Sequence, residues 1–138
     1  MNPLIFTNKF LIITSQLFVI SFIMFLLYSN KNFNECVLAA CLVFVYICST
    51  LFWCNPIQHS QIHKIDAIVA KIAIIAFALY TFLYKGVYVS YCFLFLGMLV
   101  TAYLSHYYSD KQWCCENHIL SHGLLHTNCF LASFYAFI

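Results

Sequence analysis

The sequence predicts an all-α membrane protein, a polytopic bundle of about five transmembrane helices. Three observations predict this class: only 7% of the 138 residues are charged, 64% are apolar, and the mean hydropathy is +0.91. An ordinary soluble domain is about one quarter charged, so ten charges are too few for a surface that faces water. The composition therefore excludes a soluble globular enzyme, and a net charge of +2 excludes a nucleic-acid-binding protein because it leaves no basic patch.

Five apolar runs are long enough for membrane helices, each of which needs about 20 residues. Asn55-Pro56 ends the second run, because the residue before a proline disfavours helix. The break at Lys85-Gly86 is so short that we expect the third and fourth spans to form a tight antiparallel hairpin. The sequence shows no second domain, so we predict one transmembrane domain over 1–138. Its spans are predicted at about 10–28, 36–54, 65–84, 87–105 and 118–138.

All six histidines are predicted to lie at the same face of the membrane. With five spans, the end of span two, the start of span three, the end of span four and the start of span five share one side. Three of the four acidic residues, Asp66, Asp110 and Glu116, belong to this side too. Ionisable residues at the edge of apolar spans tend to be functional when they face the bundle interior. The histidines are His59, His63, His106, His118, His122 and His126.

His118 and His122 are candidate metal ligands, because residues four apart project from the same face of a helix. A catalytic zinc site needs three protein ligands and an open position. His59 and His63 are the candidates for the third ligand. Asp66 stands near the start of an apolar helix, where a carboxylate is disfavoured unless it is paired with a ligating histidine or a metal-bound water. The structural alternative is that these side chains only solvate or cap the helix ends.

Three short sequence segments together resemble one superfamily of membrane hydrolases, often called CREST. The superfamily groups alkaline ceramidases, adiponectin-receptor and hemolysin III-like proteins, and GPI-lipid-remodelling hydrolases. The run 49–53, Ser-Thr-Leu-Phe-Trp, is similar to the family's Ser-x-x-aromatic-His. Asp66 follows thirteen residues after Trp53, where the family keeps an Asp at the start of a span. The run 116–122, Glu-Asn-His-Ile-Leu-Ser-His, is similar to the family's Asp-x-His-x-x-x-His.

The resemblance implies a zinc-dependent lipid amidase or esterase. It would make His118 and His122 zinc ligands, Asp66 the acid that positions the metal-bound water, and Ser49 an auxiliary polar group near the reacting carbonyl. Zinc would lower the pKa of its water and polarise the lipid carbonyl. Two departures accompany the resemblance: Trp53 stands at the family's first ligand position, and the chain has five spans where the family usually has seven.

Two further interpretations stay open. The chain's small size, short loops and apolar helices are also typical of a non-catalytic subunit of a larger membrane complex, such as a respiratory-chain assembly. In a variant of this interpretation the subunit anchors haem b between His59 or His63 and His118 or His122. The expected partners are membrane lipids and either other membrane subunits or further copies of the chain. The protein is expected to be multi-pass, in an endomembrane or in the mitochondrial inner membrane.

Overall fold

A computed structural model describes residues 7–86 and 88–138 of the chain. Residues 1–6, part of the predicted domain, and Val87, the predicted start of the fourth span, lie outside the described residues. The described chain is all-α, as predicted, and contains no strand. Its helices are α1 (Asn8–Ser15), α2 (Leu17–Tyr28), α3 (Phe33–Cys54), α4 (Gln61–Tyr80), a π-helical turn (Thr81–Lys85), α5 (Val89–Lys111) and α6 (Glu116–Phe137).

The first four predicted spans are helical segments that are long and apolar enough to cross a membrane. The protein is therefore a multi-pass integral membrane protein. α1 and α2 together form the first of these segments, α3 the second, α4 with the π-helical turn the third, and α5 the fourth. The fifth predicted span is the 22-residue α6, which is less apolar than the others and carries three of the histidines.

Three helices extend further into polar sequence than the apolar runs indicated, because side chains cap their first turns. The Asn32 side chain accepts a hydrogen bond from the Glu35 amide at 2.9 Å and begins α3. Ser60 and Cys115 cap α4 and α6 in the same way, three residues before His63 and His118. Such caps satisfy amide donors that have no partner within the helix.

α6 lies at the centre of the bundle, in contact with α1, α2, α4 and α5. Its small residues allow this position. Gly123 packs directly against the Phe10 ring, and any side chain there would displace the ring. Ser133 donates a hydrogen bond to Ser21 at 2.7 Å and so joins α6 to α2. Because α6 has protein neighbours on several sides, its polar residues face other helices.

The prediction of a tight hairpin between the third and fourth spans is wrong. α4 and α5 are linked by a short connection, yet they barely touch; α4 packs on α3, whereas α5 packs on α6. Two features account for the separation. Lys85 forms an ion pair with Glu35 of α3 at 3.3 Å, and Gly86 turns the chain with a φ of 104°, a value that favours glycine. The two helices therefore diverge and leave a space between them.

Candidate functional site

A cavity of about 560 Å³ occupies the space between α4 and α5, and helices α3 and α6 complete its wall. Its volume is within the range of small-molecule sites. Every histidine of the chain lines it: His59, His63, His106, His118, His122 and His126. The sequence placed these residues on one membrane face, and the fold brings them to one end of a single cavity. We refer to that part of it as the histidine end.

Away from the histidine end, the cavity wall is apolar except for Ser133 and for Lys71, an exposed residue of α4. It continues past Met98 and Phe77 as far as Ala132 and Ser133. Along α6, the whole cavity from His118 to Ser133 corresponds to about 22 Å at 1.5 Å per residue, of which about 10 Å lies beyond His126. The space exists because small side chains line the cavity from three helices: Ala67, Ala70 and Ala73 of α4, Ala102 of α5, and Ala132 of α6.

His126 has both ring nitrogens engaged within the protein. Thr14 Oγ1 lies 2.8 Å from Nδ1 and also donates to the Leu11 carbonyl, so His126 Nδ1 donates to Thr14. Its Nε2 lies 3.4 Å from the Ser49 hydroxyl, which is then the donor. Ser49, the polar group that the resemblance singled out, therefore belongs to a network joining α1, α3 and α6, and His126 acts as a structural residue.

His63 and His118 are held in the same way at the starts of two different helices. The His59 amide donates to His63 Nδ1 at 3.0 Å, and the Cys114 amide donates to His118 Nδ1 at 3.2 Å. Each donor precedes the N-cap residue and has a positive φ, 62° at His59 and 55° at Cys114, which is uncommon outside glycine. A ring nitrogen that accepts an N–H carries no proton, so both neutral rings carry theirs on Nε2.

Two tryptophans bring these rings together. The Trp113 indole lies 5.1 Å from the His63 ring and 5.0 Å from the His118 ring, measured between ring centroids. Trp53 is completely buried and lies 4.9 Å from His122. Within the described part of the chain, the Trp53 indole N–H has no hydrogen-bond acceptor. An unpaired donor buried at a cavity wall is costly and marks a place where an acceptor oxygen is favourable.

Asp66, Ser49, His118, His122, His63 and His59, the predicted site residues, all line this cavity. Asp66 is only 7% exposed. His122 Nδ1 lies 2.9 Å from the Ser105 hydroxyl, so α5 and α6 are joined at this point. His59 contributes its backbone amide to His63, and its ring lies 6.2 Å from the His63 ring between centroids. The cluster therefore combines one carboxylate with several neutral rings.

The residues present do not fit zinc as they are arranged. Among residues 7–86 and 88–138 there is no group of three His, Cys, Asp or Glu side chains placed to hold one metal ion. A ligating histidine normally binds the metal through one nitrogen and donates a hydrogen bond from the other. His63 and His118 have the opposite arrangement, because Nδ1 accepts and Nε2 carries the proton. Trp53, at the family's ligand position, supplies only a donor.

The cluster does not fit haem b either. Two axial histidines must stand on opposite faces of a porphyrin. His63 and His118 instead share the Trp113 indole as a neighbour, and His63 also stacks on Phe52 at 4.8 Å with an interplanar angle of 7°. The Nδ1 bonds also leave Nε2 of both rings protonated, so neither ring has a free lone pair for the iron.

Cys114 and Cys115 lie beside the histidine end and form hydrogen bonds with His118 at the start of α6. Cys115 Sγ accepts from the His118 amide at 3.4 Å, and the Cys114 amide holds the His118 ring. Burial raises the pKa of the Cys114 thiol, and the neighbouring Cys115 raises it further. A raised pKa disfavours the Cys114 thiolate that metal binding and redox exchange need.

No protein family, no curated protein and no solved structure matches the chain. The resemblance to the CREST hydrolases therefore stays a prediction.

Sequence reasoning missed three parts of the site: Trp113, the Nδ1 bonds of the two histidines, and the row of alanines. Two signals were present. Ser60-Gln-Ile-His63 and Cys115-Glu-Asn-His118 share the spacing of a capping box, in which the N-cap side chain and the third helical residue cap each other. Ala67, Ala70 and Ala73 recur every three residues, which indicates a helix face that leaves room for a neighbour.

Proposed function

We propose that this integral membrane protein binds a membrane lipid, with one acyl chain in the cavity between α4 and α5 and the lipid's polar group at the histidine end. The observation that carries this proposal is the division of one continuous cavity into a polar end and a long apolar part. A lipid has the same division. A soluble ligand would leave the apolar wall without a partner.

The dimensions support an acyl chain as the occupant. The hydrocarbon core of a bilayer is about 30 Å thick, so one leaflet contributes about 15 Å. The cavity extends about 22 Å along α6, which is enough for a chain of one leaflet with its linkage to the polar group. Because α4 and α5 barely touch, the space between them gives the chain a path from the surrounding lipid.

The test is lipid binding by variants that narrow the cavity. Ala70→Phe on α4 and Ala102→Phe on α5 each place a ring in the apolar part, and both sites are only partly buried. We expect each variant to lower the photo-crosslinking yield with a diazirine-labelled fatty acyl lipid about tenfold. An added ring removes the space that the chain needs and forces a rearrangement.

Ile75→Phe is the matched control on α4. Ile75 is 59% exposed on the outer surface and does not line the cavity, so this variant adds a ring of the same kind where lipid already surrounds the helix. Its labelling should equal that of the wild type. Equal labelling of all three variants would show that the lipid contacts only the outer surface, and the proposal would then be wrong.

Hydrolysis of an acyl amide or ester is the second candidate function. One observation favours it: Ser49, Asp66, His118 and His122, the residues that the resemblance matched, line the same cavity. Zinc chemistry would first require His63 or His118 to exchange its Nδ1 bond for a different arrangement. Metal analysis of the purified protein, together with release of fatty acid from amide and ester lipids, separates this candidate from binding alone.

Assembly with other membrane subunits or with further copies of the chain is compatible with lipid binding. Large apolar side chains are exposed on the outer faces of the helices, among them Phe44, Ile72, Phe93 and Leu99. Bilayer lipid and other transmembrane helices are equally suitable neighbours for such a surface. Mass measurement of the protein in nanodiscs distinguishes a single chain from an assembly.

A further inference from the structure

We infer that the histidine end recognises the carbonyl oxygen of the bound lipid's acyl linkage through neutral hydrogen-bond donors, and that it does so without a metal ion. This inference rests on the proposed lipid binding and names the chemistry of its polar end. The donors are Nε2–H of His63, Nε2–H of His118 and the indole N–H of Trp53.

Two helix starts fix a histidine ring in the same way. In α4 and in α6, a residue with positive φ donates its amide to Nδ1 of a histidine four residues later. In both, the intervening N-cap side chain accepts the amide of that same histidine, at 3.3 Å from Ser60 and 3.4 Å from Cys115. α3 begins in the same way at the opposite end of the bundle, where Lys31 has a φ of 53°, Asn32 is the N-cap and Glu35 takes the place of the histidine. The arrangement is therefore a helix start, and its consequence at α4 and α6 is that it fixes a histidine ring as a donor at Nε2.

The Trp53 indole N–H is the third donor of the histidine end. Its indole is completely buried, lines the cavity and has no acceptor within the described residues. An oxygen supplied by a ligand would satisfy it. Tryptophan nitrogen is only a donor, and the two histidines are fixed as donors at Nε2, so all three groups require an acceptor.

The surroundings of these donors favour an uncharged acceptor. Asp66 lines the same cavity and is 7% exposed, which disfavours an anionic group beside it. The lysines of the lining, Lys64 and Lys71, are exposed, so Asp66 is the buried charge that a ligand meets. A metal cation finds too few free lone pairs, because Nδ1 of each of these histidines is already bonded. A neutral carbonyl oxygen accepts two or more hydrogen bonds and carries no net charge, so it fits both conditions.

The experiment compares two lipids that differ only in the carbonyl. Monopalmitoylglycerol has an ester carbonyl at the head of its chain, and the hexadecyl ether of glycerol has the same chain length without it. We expect the wild type in detergent to bind the ester about tenfold more tightly, as the loss of one or two hydrogen bonds predicts. Treatment with a metal chelator should leave this ratio unchanged.

The double variant His63→Leu with His118→Leu keeps only the Trp53 donor, so it should lose most of the preference for the ester, and its affinity for the ester should approach that of the wild type for the ether. A second variant, Trp53→Phe, should lower the preference for the ester while keeping the ring packing. Equal binding of ester and ether by the wild type would refute the carbonyl inference and leave lipid binding intact. If neither lipid binds, the proposed function itself fails.

A measurement that needs no ligand tests the histidines directly. Protein labelled with nitrogen-15 in histidine should show His63 and His118 protonated at Nε2 only, with assignments from the single variants His63→Gln and His118→Gln. Addition of zinc should leave their signals in place. Protonation at Nδ1, or a zinc-dependent shift of both signals, would overturn the inference even where an ester preference is observed.

Discussion

The two ends of the bundle differ in how their buried polar groups are paired. At the end opposite the histidines, Glu35 is completely buried and paired with Lys85 at 3.3 Å. The Tyr80 hydroxyl donates to Glu35 at 2.9 Å, and Asn32 donates to Tyr80 at 3.2 Å. We refer to these four residues as the glutamate cluster. It joins α3 to the end of α4, and none of its residues lines the cavity.

The histidine end has the neutral rings of His63 and His118 arranged beside open space. Its only ion pair, within the described residues, joins His106 and Asp110 at 3.5 Å, and both side chains are more than half exposed. The buried ion pair therefore lies where the helices pack closely together, and the cavity lies where they do not. The buried carboxylate that lines the cavity, Asp66, forms no ion pair within the described residues, and the lining lysines, Lys64 and Lys71, are exposed. A carboxylate paired with a cation draws the surrounding structure together, whereas neutral donors can line a cavity.

The largest effect should follow from breaking the glutamate cluster. Lys85→Met leaves Glu35 buried without its cation, and we expect the free energy of unfolding to fall by about 3 kcal/mol. The measurement is unfolding in mixed micelles followed by tryptophan fluorescence. Lys64→Met removes an exposed lysine at the histidine end and should change stability by less than about 0.5 kcal/mol.

Glu35→Gln combined with Lys85→Met sharpens this test. The double variant removes both charges, so it should regain part of the stability that Lys85→Met alone loses. If the lysine variant at each end had the same small effect, the contrast between the closed and the open end would not hold.

A smaller effect should follow from changing the caps that hold His63 and His118. Ser60→Ala removes the acceptor for the His63 amide and should lower the free energy of unfolding by about 1 kcal/mol. Cys115→Ser puts a preferred capping residue at the equivalent position and should raise it by a few tenths of a kcal/mol. Opposite signs for the two variants would confirm that the two helix starts are equivalent; a loss in both would contradict it.

The smallest effect concerns the chemistry of Cys114. Because burial raises the pKa of its thiol, less thiolate is present at any given pH, and alkylation should be slower than for free cysteine. In the Cys115→Ser variant, the iodoacetamide rate at Cys114 should become half-maximal above the usual thiol pKa of about 8.5. A midpoint below that value would indicate an activated thiol and reopen a redox role for this loop.

The sequence by itself determined the class of the protein and much of its organisation. Few charges and long apolar runs specify membrane helices because unpaired backbone groups cannot be left in hydrocarbon. α3 ends at Cys54, two residues before Pro56, as predicted. The sharing of one end by all six histidines followed from span counting alone, since that depends only on the order of elements along the chain.

Only the tertiary structure decided what the histidines face. The spacing of His118 and His122 fits a metal pair, but the hydrogen bond from Cys114 fixes the His118 ring as a donor at Nε2. Likewise, the short connection at Gly86 suggested a hairpin, whereas the ion pair between Lys85 and Glu35 helps to hold α4 against α3, away from α5. Spacing describes a single helix. The direction of a ring proton and the gap between two helices depend on partners distant in sequence, so they are settled only when the chain is packed.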